Sequence, residues 1–131
     1  MDFLKLLGMV GNRSVFTFAV EGYPGELRVV RFTGDEGVSR LFEFNLEIAS
    51  DGAELGDYVG KAGVLTIEGL GEPRHVHGFI RHAEYVGESR NYLLHELVLV
   101  PRLWRLQNRH DCRIFQEMTT PAIVQQVLLE A

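Results

Sequence analysis

The segment from Phe42 to Ile48 alternates strictly between apolar and polar side chains, and no other feature of the sequence constrains the fold as strongly. Its apolar positions are Phe42, Phe44, Leu46 and Ile48. Successive side chains of a β-strand point to opposite faces, so a strand places all four on one face, whereas a helix would scatter them. The segment therefore predicts a strand with one face toward a core and the other toward water or a partner.

Residues 15 to 100 contain further alternating segments, separated by Gly, Pro, Asp and Asn residues that favour turns. A first strand is predicted to carry Phe16, Phe18 and Val20 on one face, and others are predicted at 26–33, 64–68, 74–86 and 92–100. Gly78 interrupts one of them, and we expect a bulge or a sharp bend there. Six strands at this spacing predict a mainly β fold, an antiparallel β-barrel or a strongly twisted sheet.

The pattern changes after Pro101, where arginines recur three and four residues apart with Leu103, Trp104 and Leu106 between them. This spacing is typical of a short helical turn with one apolar side. We expect Trp104 to be largely buried with Leu103 or Leu106 against the end of the barrel.

A C-terminal helix is predicted to begin at 119–121, because a threonine N-cap followed by Pro121 at the first helical position is typical of a helix start. Its apolar positions are Ile123, Val124, Val127 and Leu128. No helix-ending signal precedes Ala131, so we expect a helix cut short, an exposed stripe around Ile123, Val127 and Leu128, and a chain that continues. The predicted organisation is an N-terminal segment at 1–14, a barrel domain at 15–100, and a connecting turn with the start of a further segment at 101–131.

The net charge of −5 argues against a general nucleic-acid binder, whose affinity comes mainly from neutralising phosphates. The acidity is local, since residues 1–70 carry six basic and eleven acidic residues, while 71–131 carry seven of each. The apolar run Met1–Leu7 is too short to span a membrane and carries Asp2 where a signal peptide is positive. We therefore expect a cytoplasmic chain without membrane insertion. The single cysteine, Cys112, cannot form an internal disulfide, and we expect it to be partly buried.

Five histidines are the first candidates for chemistry. His75 and His77 share a strand face, and His82, His95 and His110 would have to complete a metal site. Zinc requires three or four ligands, and nothing in the spacing brings a third residue to the pair. Surface histidines on a strand are the favoured interpretation.

Two other groups of charged residues are candidates for chemistry. Glu43 and Glu47 share a strand face about 13 to 14 Å apart, too far for a two-carboxylate hydrolase pair. A basic cluster follows the last strand: Arg102, Arg105, Arg109 and Arg113. Apolar residues lie between these arginines, which favours pairing with acidic groups over binding to nucleic acid. With no nucleotide-binding or nucleophile motif present, we expect no catalytic, cofactor-binding or metal site.

Three stretches carry a family resemblance, namely Leu41–Phe44, His77–Ile80, and Leu99–Leu106 followed by Arg113–Gln116. In these the chain resembles the N-terminal region of VgrG, the spike protein of bacterial type VI secretion systems, whose relatives include the hub proteins of contractile phage tails. The resemblance implies that six positions determine the fold without taking part in chemistry: Phe42, Phe44, Gly78, Pro101, Trp104 and Phe115.

The resemblance also implies an assembly. A barrel of this family forms a trimeric, pseudo-sixfold ring on the hexameric tube protein Hcp, alongside other baseplate and effector proteins, and leaves through the apparatus without a signal peptide. For residues 1–131 alone we expect a monomer or a weak oligomer, since the trimer is expected to depend on downstream segments. Three alternatives stay open: a phage or prophage tail hub, a ligand-binding barrel with His75, His77 and Arg81 lining its mouth, and a metal-dependent hydrolase using the same histidines.

Overall fold

The computed structural model describes residues 15–69 and 71–131. The chain divides into two compact units, of which the first ends at Pro101 and the second is Arg102–Ala131. The predicted N-terminal segment 1–14, with the apolar run Met1–Leu7, lies outside the described residues.

The first unit contains a closed barrel in the strand order β1-β2-β3-β6-β5-β4. Every neighbouring pair is antiparallel. The strands are β1 Val15–Val20, β2 Leu27–Asp35, β3 Glu43–Ser50, β4 Ala62–Glu68, β5 Arg74–Ser89 and β6 Tyr92–Val100, with a 3₁₀ helix at Leu55–Tyr58 between β3 and β4. The predicted antiparallel β-barrel is confirmed, and of the two predicted arrangements the structure has the closed barrel.

The alternation in β3 determines which side of the barrel wall is apolar. Phe44, Leu46 and Ile48 are at most 2% exposed, and Phe42, just before the strand, packs partly buried against the same core. Glu43 and Glu47 lie between them and are only partly covered. Burying each large apolar side chain contributes about 1.5–3 kcal/mol, so a shift of register by one residue would be strongly disfavoured.

Gly78 lies in regular pairing, and the predicted bulge at this residue is wrong. It pairs directly with Gly63 of β4, and the register shifts of β5 fall between Ile80 and His82 and between Tyr85 and Gly87. Glycine is needed for another reason. A Cβ at residue 78 would lie 2.5 Å from the backbone carbonyl oxygen of Val100, so β5 can approach β6 this closely only without a side chain.

The second unit begins with a 3₁₀ helix, Arg102–Asn108, and ends with the α-helix α1, Thr120–Leu129. A threonine caps α1 as predicted: Thr119 Oγ1 accepts a hydrogen bond from the Ala122 amide at 3.4 Å, and the helix starts one residue earlier than expected, with Thr120 before Pro121. The short helical turn after Pro101 and the C-terminal helix are therefore both present.

Trp104 is partly buried with most of its surface covered, which agrees with the predicted large extent of burial, but the indole is not fully enclosed. No residue of the 3₁₀ helix is buried, and Leu103 is 46% exposed. The physical reason is size: a short unit buries a small fraction of its surface, and a seven-residue 3₁₀ helix cannot enclose an indole.

The close approach at Gly78 predicts a specific cost. Gly78→Ala should destabilise the barrel by about 1–3 kcal/mol, because the new methyl group meets backbone and cannot be relieved by a side-chain rotation. Gly56→Ala is the matched control, since a Cβ there meets no atom within 4 Å and should change stability by less than about 0.5 kcal/mol. Urea denaturation measures both, and equal midpoints for the two variants would contradict this explanation.

The difference in burial between two large residues gives a second prediction. Leu46→Ala should lower the free energy of unfolding by about 2–5 kcal/mol, because it leaves a cavity among fully buried side chains. Trp104→Ala should cost about 1 kcal/mol, since the indole already contacts solvent. A loss at Trp104 as large as that at Leu46 would show that the indole is an anchor.

Candidate functional site

His75 and His77 lie on the outer face of β5, where exposed residues alternate with buried Val76 and Gly78. The Nδ1 atom of His75 is 3.0 Å from Thr66 Oγ1 on the neighbouring strand. These histidines do not face the barrel interior, so the predicted mouth formed by His75, His77 and Arg81 is wrong. The reason is the strand register, which reserves the inner positions of β5 for small and apolar residues.

The other histidines lie apart from this pair. His82 is 3.5 Å from the carboxylate of Glu84 on the same strand, His95 is buried, and His110 is exposed in the second unit. In residues 15–69 and 71–131, no three His, Cys, Asp or Glu side chains are grouped so that they could hold a metal ion.

The two glutamates of β3 are held apart by separate arginines. Glu43 accepts a hydrogen bond from Arg81 at 3.0 Å, and Glu47 accepts one from Arg31 at 2.6 Å. Each carboxylate is therefore neutralised on the outer wall of the barrel. These ion pairs do not form a two-carboxylate catalytic arrangement.

A polar cluster joins the loop of the second unit to the end of α1. Arg113 contacts the carboxylates of Asp111, at 2.7 Å, and Glu130, while Arg109 donates to the Glu130 carbonyl oxygen. The hydrogen bonds from Arg113 lower the pKa of both carboxyl groups. This is the acid pairing that the sequence favoured for Arg113. Cys112 lies in this loop and is exposed, not partly buried as expected, because the loop packs too little apolar surface to cover it.

The exposed stripe of α1 differs from the predicted one. Ile123 and Val127 are partly buried, while Val124 and Leu128 are about half exposed and Leu129 is 80% exposed. The helix therefore turns one apolar edge toward its own unit and a second one toward solvent.

The six positions that the family resemblance implies to be fold-determining lie in different environments. Phe44 is buried beside Phe42, with ring centroids 5.7 Å apart, and Gly78 lies at the close approach of β5 to β6. Pro101, Trp104 and Phe115 are partly buried. Their role in determining the fold stays a prediction.

A cleft at one end of the barrel is the concave site that the sequence did not predict. It has a volume of about 470 Å³. Glu54 and the 3₁₀ helix that follows it line one side, and the last part of β5 and the first part of β6 line the other. We call it the His95 cleft; its lining residues are Glu54, Leu55, Gly56, Asp57, Ala83, Tyr85, Glu88, Leu93 and His95.

His95 occupies an inward-facing position of β6, in step with the buried Leu97 and Leu99. The residue is 5% exposed, its ring stands edge-on to Tyr85 at 5.7 Å, and its Nδ1 atom is buried without a hydrogen bond. Burial lowers the pKa of the ring, although the carboxylate of Glu54 partly opposes this. Burial therefore favours the neutral form of His95. Its alternation with Leu93 and Leu97 was the sequence signal for an inward-facing histidine.

The lowered pKa of His95 predicts a pH dependence. The unfolded chain binds a proton at this ring more readily than the folded one, so the stability associated with a neutral His95 is present above about pH 6.5 and is lost as the pH falls below it. His95→Phe should flatten this part of the stability profile, measured by urea denaturation from pH 7.5 to 5. His77→Gln, which removes an exposed histidine, should leave the profile unchanged. The same slope in both variants would contradict the assignment.

The described residues define a class of protein: a closed antiparallel β-barrel followed by a small helical unit, without a recognisable catalytic constellation. Residues 35–131 match the family described as phage tail baseplate hub (GPD), and the chain belongs to this family. No helix in the described part of the chain is long and apolar enough to cross a membrane.

Individual relatives point in the same direction. The type VI secretion system spike protein VgrG4b of Pseudomonas aeruginosa PAO1 is 33% identical over 91% of this chain, and VgrG2a of the same organism is 34% identical over 88%. The actin cross-linking toxin VgrG1 of Vibrio cholerae is 31% identical over 88%. The chain spans only 15%, 14% and 12% of the lengths of these relatives. The predicted resemblance to VgrG is thereby confirmed.

A solved structure confirms the fold. The E. coli c3393 protein, described as a component of the type VI secretion system with structural similarity to the T4 bacteriophage tail proteins gp27 and gp5, superposes with a TM-score of 0.73. The match covers 86% of this chain and 31% of that chain, at 23% sequence identity.

Proposed function

We propose that this chain forms part of the hub of a type VI secretion spike, where three copies build a ring that docks on the hexameric tube protein Hcp and carries effectors. The observation that carries the proposal is family membership together with barrel closure: the hub match covers residues 35–131, which include most of a complete, closed barrel. On this proposal the chain has a structural and not an enzymatic role. The toxin activity named for the Vibrio relative would then belong to parts of that protein beyond the matched segment.

The charge distribution supports docking between protein rings. Eleven of the eighteen acidic residues lie within residues 1–70, against six basic residues in the same range. Charge complementarity between surfaces controls orientation and association rate more than it requires a pocket. The proposed route is synthesis in the cytoplasm followed by export through the apparatus itself, and its support is the similarity to type VI secretion spike proteins.

A phage or prophage tail hub is the second candidate, favoured by the description of the matching family. The two candidates share the barrel and differ in the machine that contains it. Co-purification of the full-length protein from its own organism distinguishes them, since a type VI spike brings Hcp and a tail hub brings phage tail proteins.

The assembly state of residues 1–131 tests where the trimer obtains its stability. We expect a monomer or a weak, concentration-dependent oligomer, because association must first overcome roughly 4 to 15 kcal/mol of lost freedom. Light scattering after size exclusion, over a hundredfold range of dilution, measures the mass. A trimer mass that persists throughout would show that the barrel suffices without downstream segments.

Docking on the tube is tested with the full-length protein and purified Hcp rings. If charge complementarity orients the two rings, the apparent affinity should fall between 0.1 and 1 M salt, as the screening length shortens from about 10 Å to about 3 Å. Biolayer interferometry measures this change. Absence of binding at every salt concentration would refute the docking proposal, and binding that does not change with salt would refute its electrostatic basis.

A further inference from the structure

We propose that the His95 cleft is a binding site for an arginine side chain presented by a partner protein. The inference rests on the residues of the cleft and does not depend on which machine contains the chain.

The rim of the cleft is acidic. Glu54, Asp57 and Glu88 line it, and no Lys or Arg is among its lining residues. Within residues 15–69 and 71–131, the ion pairs of the barrel involve other carboxylates, so these three are available to a cation from outside. A cavity lined by one sign of charge concentrates ligands of the opposite sign.

The walls of the cleft are apolar and aromatic. Leu55 is 1% exposed, Ala83 and Leu93 are partly buried, and the ring of Tyr85 is accessible, with the residue 53% exposed. Such walls can cover the methylene groups of a long basic side chain while its charged end reaches the carboxylates. An aromatic face beside the rim also favours a planar guanidinium, which stacks on rings.

His95 provides the observation that points to a ligand. Its ring lines the cleft, it is 95% covered, and its Nδ1 atom makes no hydrogen bond with any described residue. A buried polar atom without a hydrogen bond is costly, and a neutral imidazole offers one acceptor nitrogen. Because this atom is covered in the structure, a donor that enters the cleft supplies the missing bond when the ring turns to present a nitrogen to the cleft.

The same geometry favours arginine over lysine. A guanidinium carries five N–H donors in a plane, enough to serve separated carboxylates and an imidazole at once. An ammonium group is a compact, strongly hydrated point charge with three donors. The cleft volume of about 470 Å³ is sufficient to admit the side chain together with ordered water.

The test uses N-acetyl-arginine methylamide as the probe and ¹⁵N-labelled residues 1–131 as the protein. We expect chemical shift changes confined to the lining of the cleft, including the backbone of Gly56 and the side chain of His95. N-acetyl-lysine methylamide, at the same net charge, should bind more weakly. Equal affinity for the two probes, or shift changes spread over the whole barrel, would overturn the proposal.

A charge-matched pair of variants separates the site from general electrostatics. The triple variant E54Q/D57N/E88Q should weaken arginine binding about tenfold, since it removes all three rim carboxylates. The control E21Q/E26Q/E72Q removes the same charge from exposed positions outside the cleft and should bind as the parent does. Equal weakening in both variants would reduce the effect to net charge and refute the site.

His95→Phe tests the imidazole separately. It keeps an aromatic ring beside Tyr85 and removes the nitrogens, so binding should weaken while the amide spectrum away from the cleft stays that of the folded barrel. Unchanged affinity would show that His95 takes no part. Docking of the full-length protein on Hcp is measured independently, so failure of the arginine site and failure of the proposed function give different results.

Discussion

Pairing between β1 and β4 is the interaction on which the rest of the structure depends, because it turns a six-stranded sheet into a closed barrel. The ladder runs from Val15 opposite Glu68 to Val20 opposite Gly63 and joins strands that are distant in sequence. It encloses Phe18 and Leu65, both fully buried, and requires glycine at position 63, where a Cβ would overlap the Phe18 ring. Closure leaves no free edges along these strands and gives the wall an apolar inside and a charged outside.

The sequence predicted those parts of the fold that follow from local periodicity. The alternation through Phe44 and Ile48 located a strand and its buried face, and the threonine–proline sequence at 119–121 located the start of α1 to within a residue, because both signals act within a few residues. Trp104 shows the limit of such reasoning. Its apolar neighbours Leu103 and Leu106 suggested burial, and most of its surface is covered, but complete burial depends on how much chain surrounds a side chain.

The candidate site was harder to predict, since tertiary pairing assembles it. Glu54 belongs to the segment after β3, whereas Tyr85 and His95 come from β5 and β6, and the pairing of β6 with both β3 and β5 brings these segments together. The spacing of His75 and His77 made them candidates for a metal or ligand site, but their positions in β5 place both on the outer face of the barrel. His95 has no other histidine beside it in the sequence. The structure identifies it by its inward position, which leaves its Nδ1 atom without a hydrogen bond.

The central proposal is that this barrel is one repeated part of a ring against the tube of a type VI secretion system, and it is supported by family membership and by the excess of acidic residues within 1–70. The most direct measurement is a cryo-electron microscopy map of the full-length protein bound to Hcp. The account predicts three copies of the barrel arranged around one axis in contact with the hexameric ring. A map in which the barrel of residues 15–100 stands away from Hcp, or occurs in a number other than three, would contradict it.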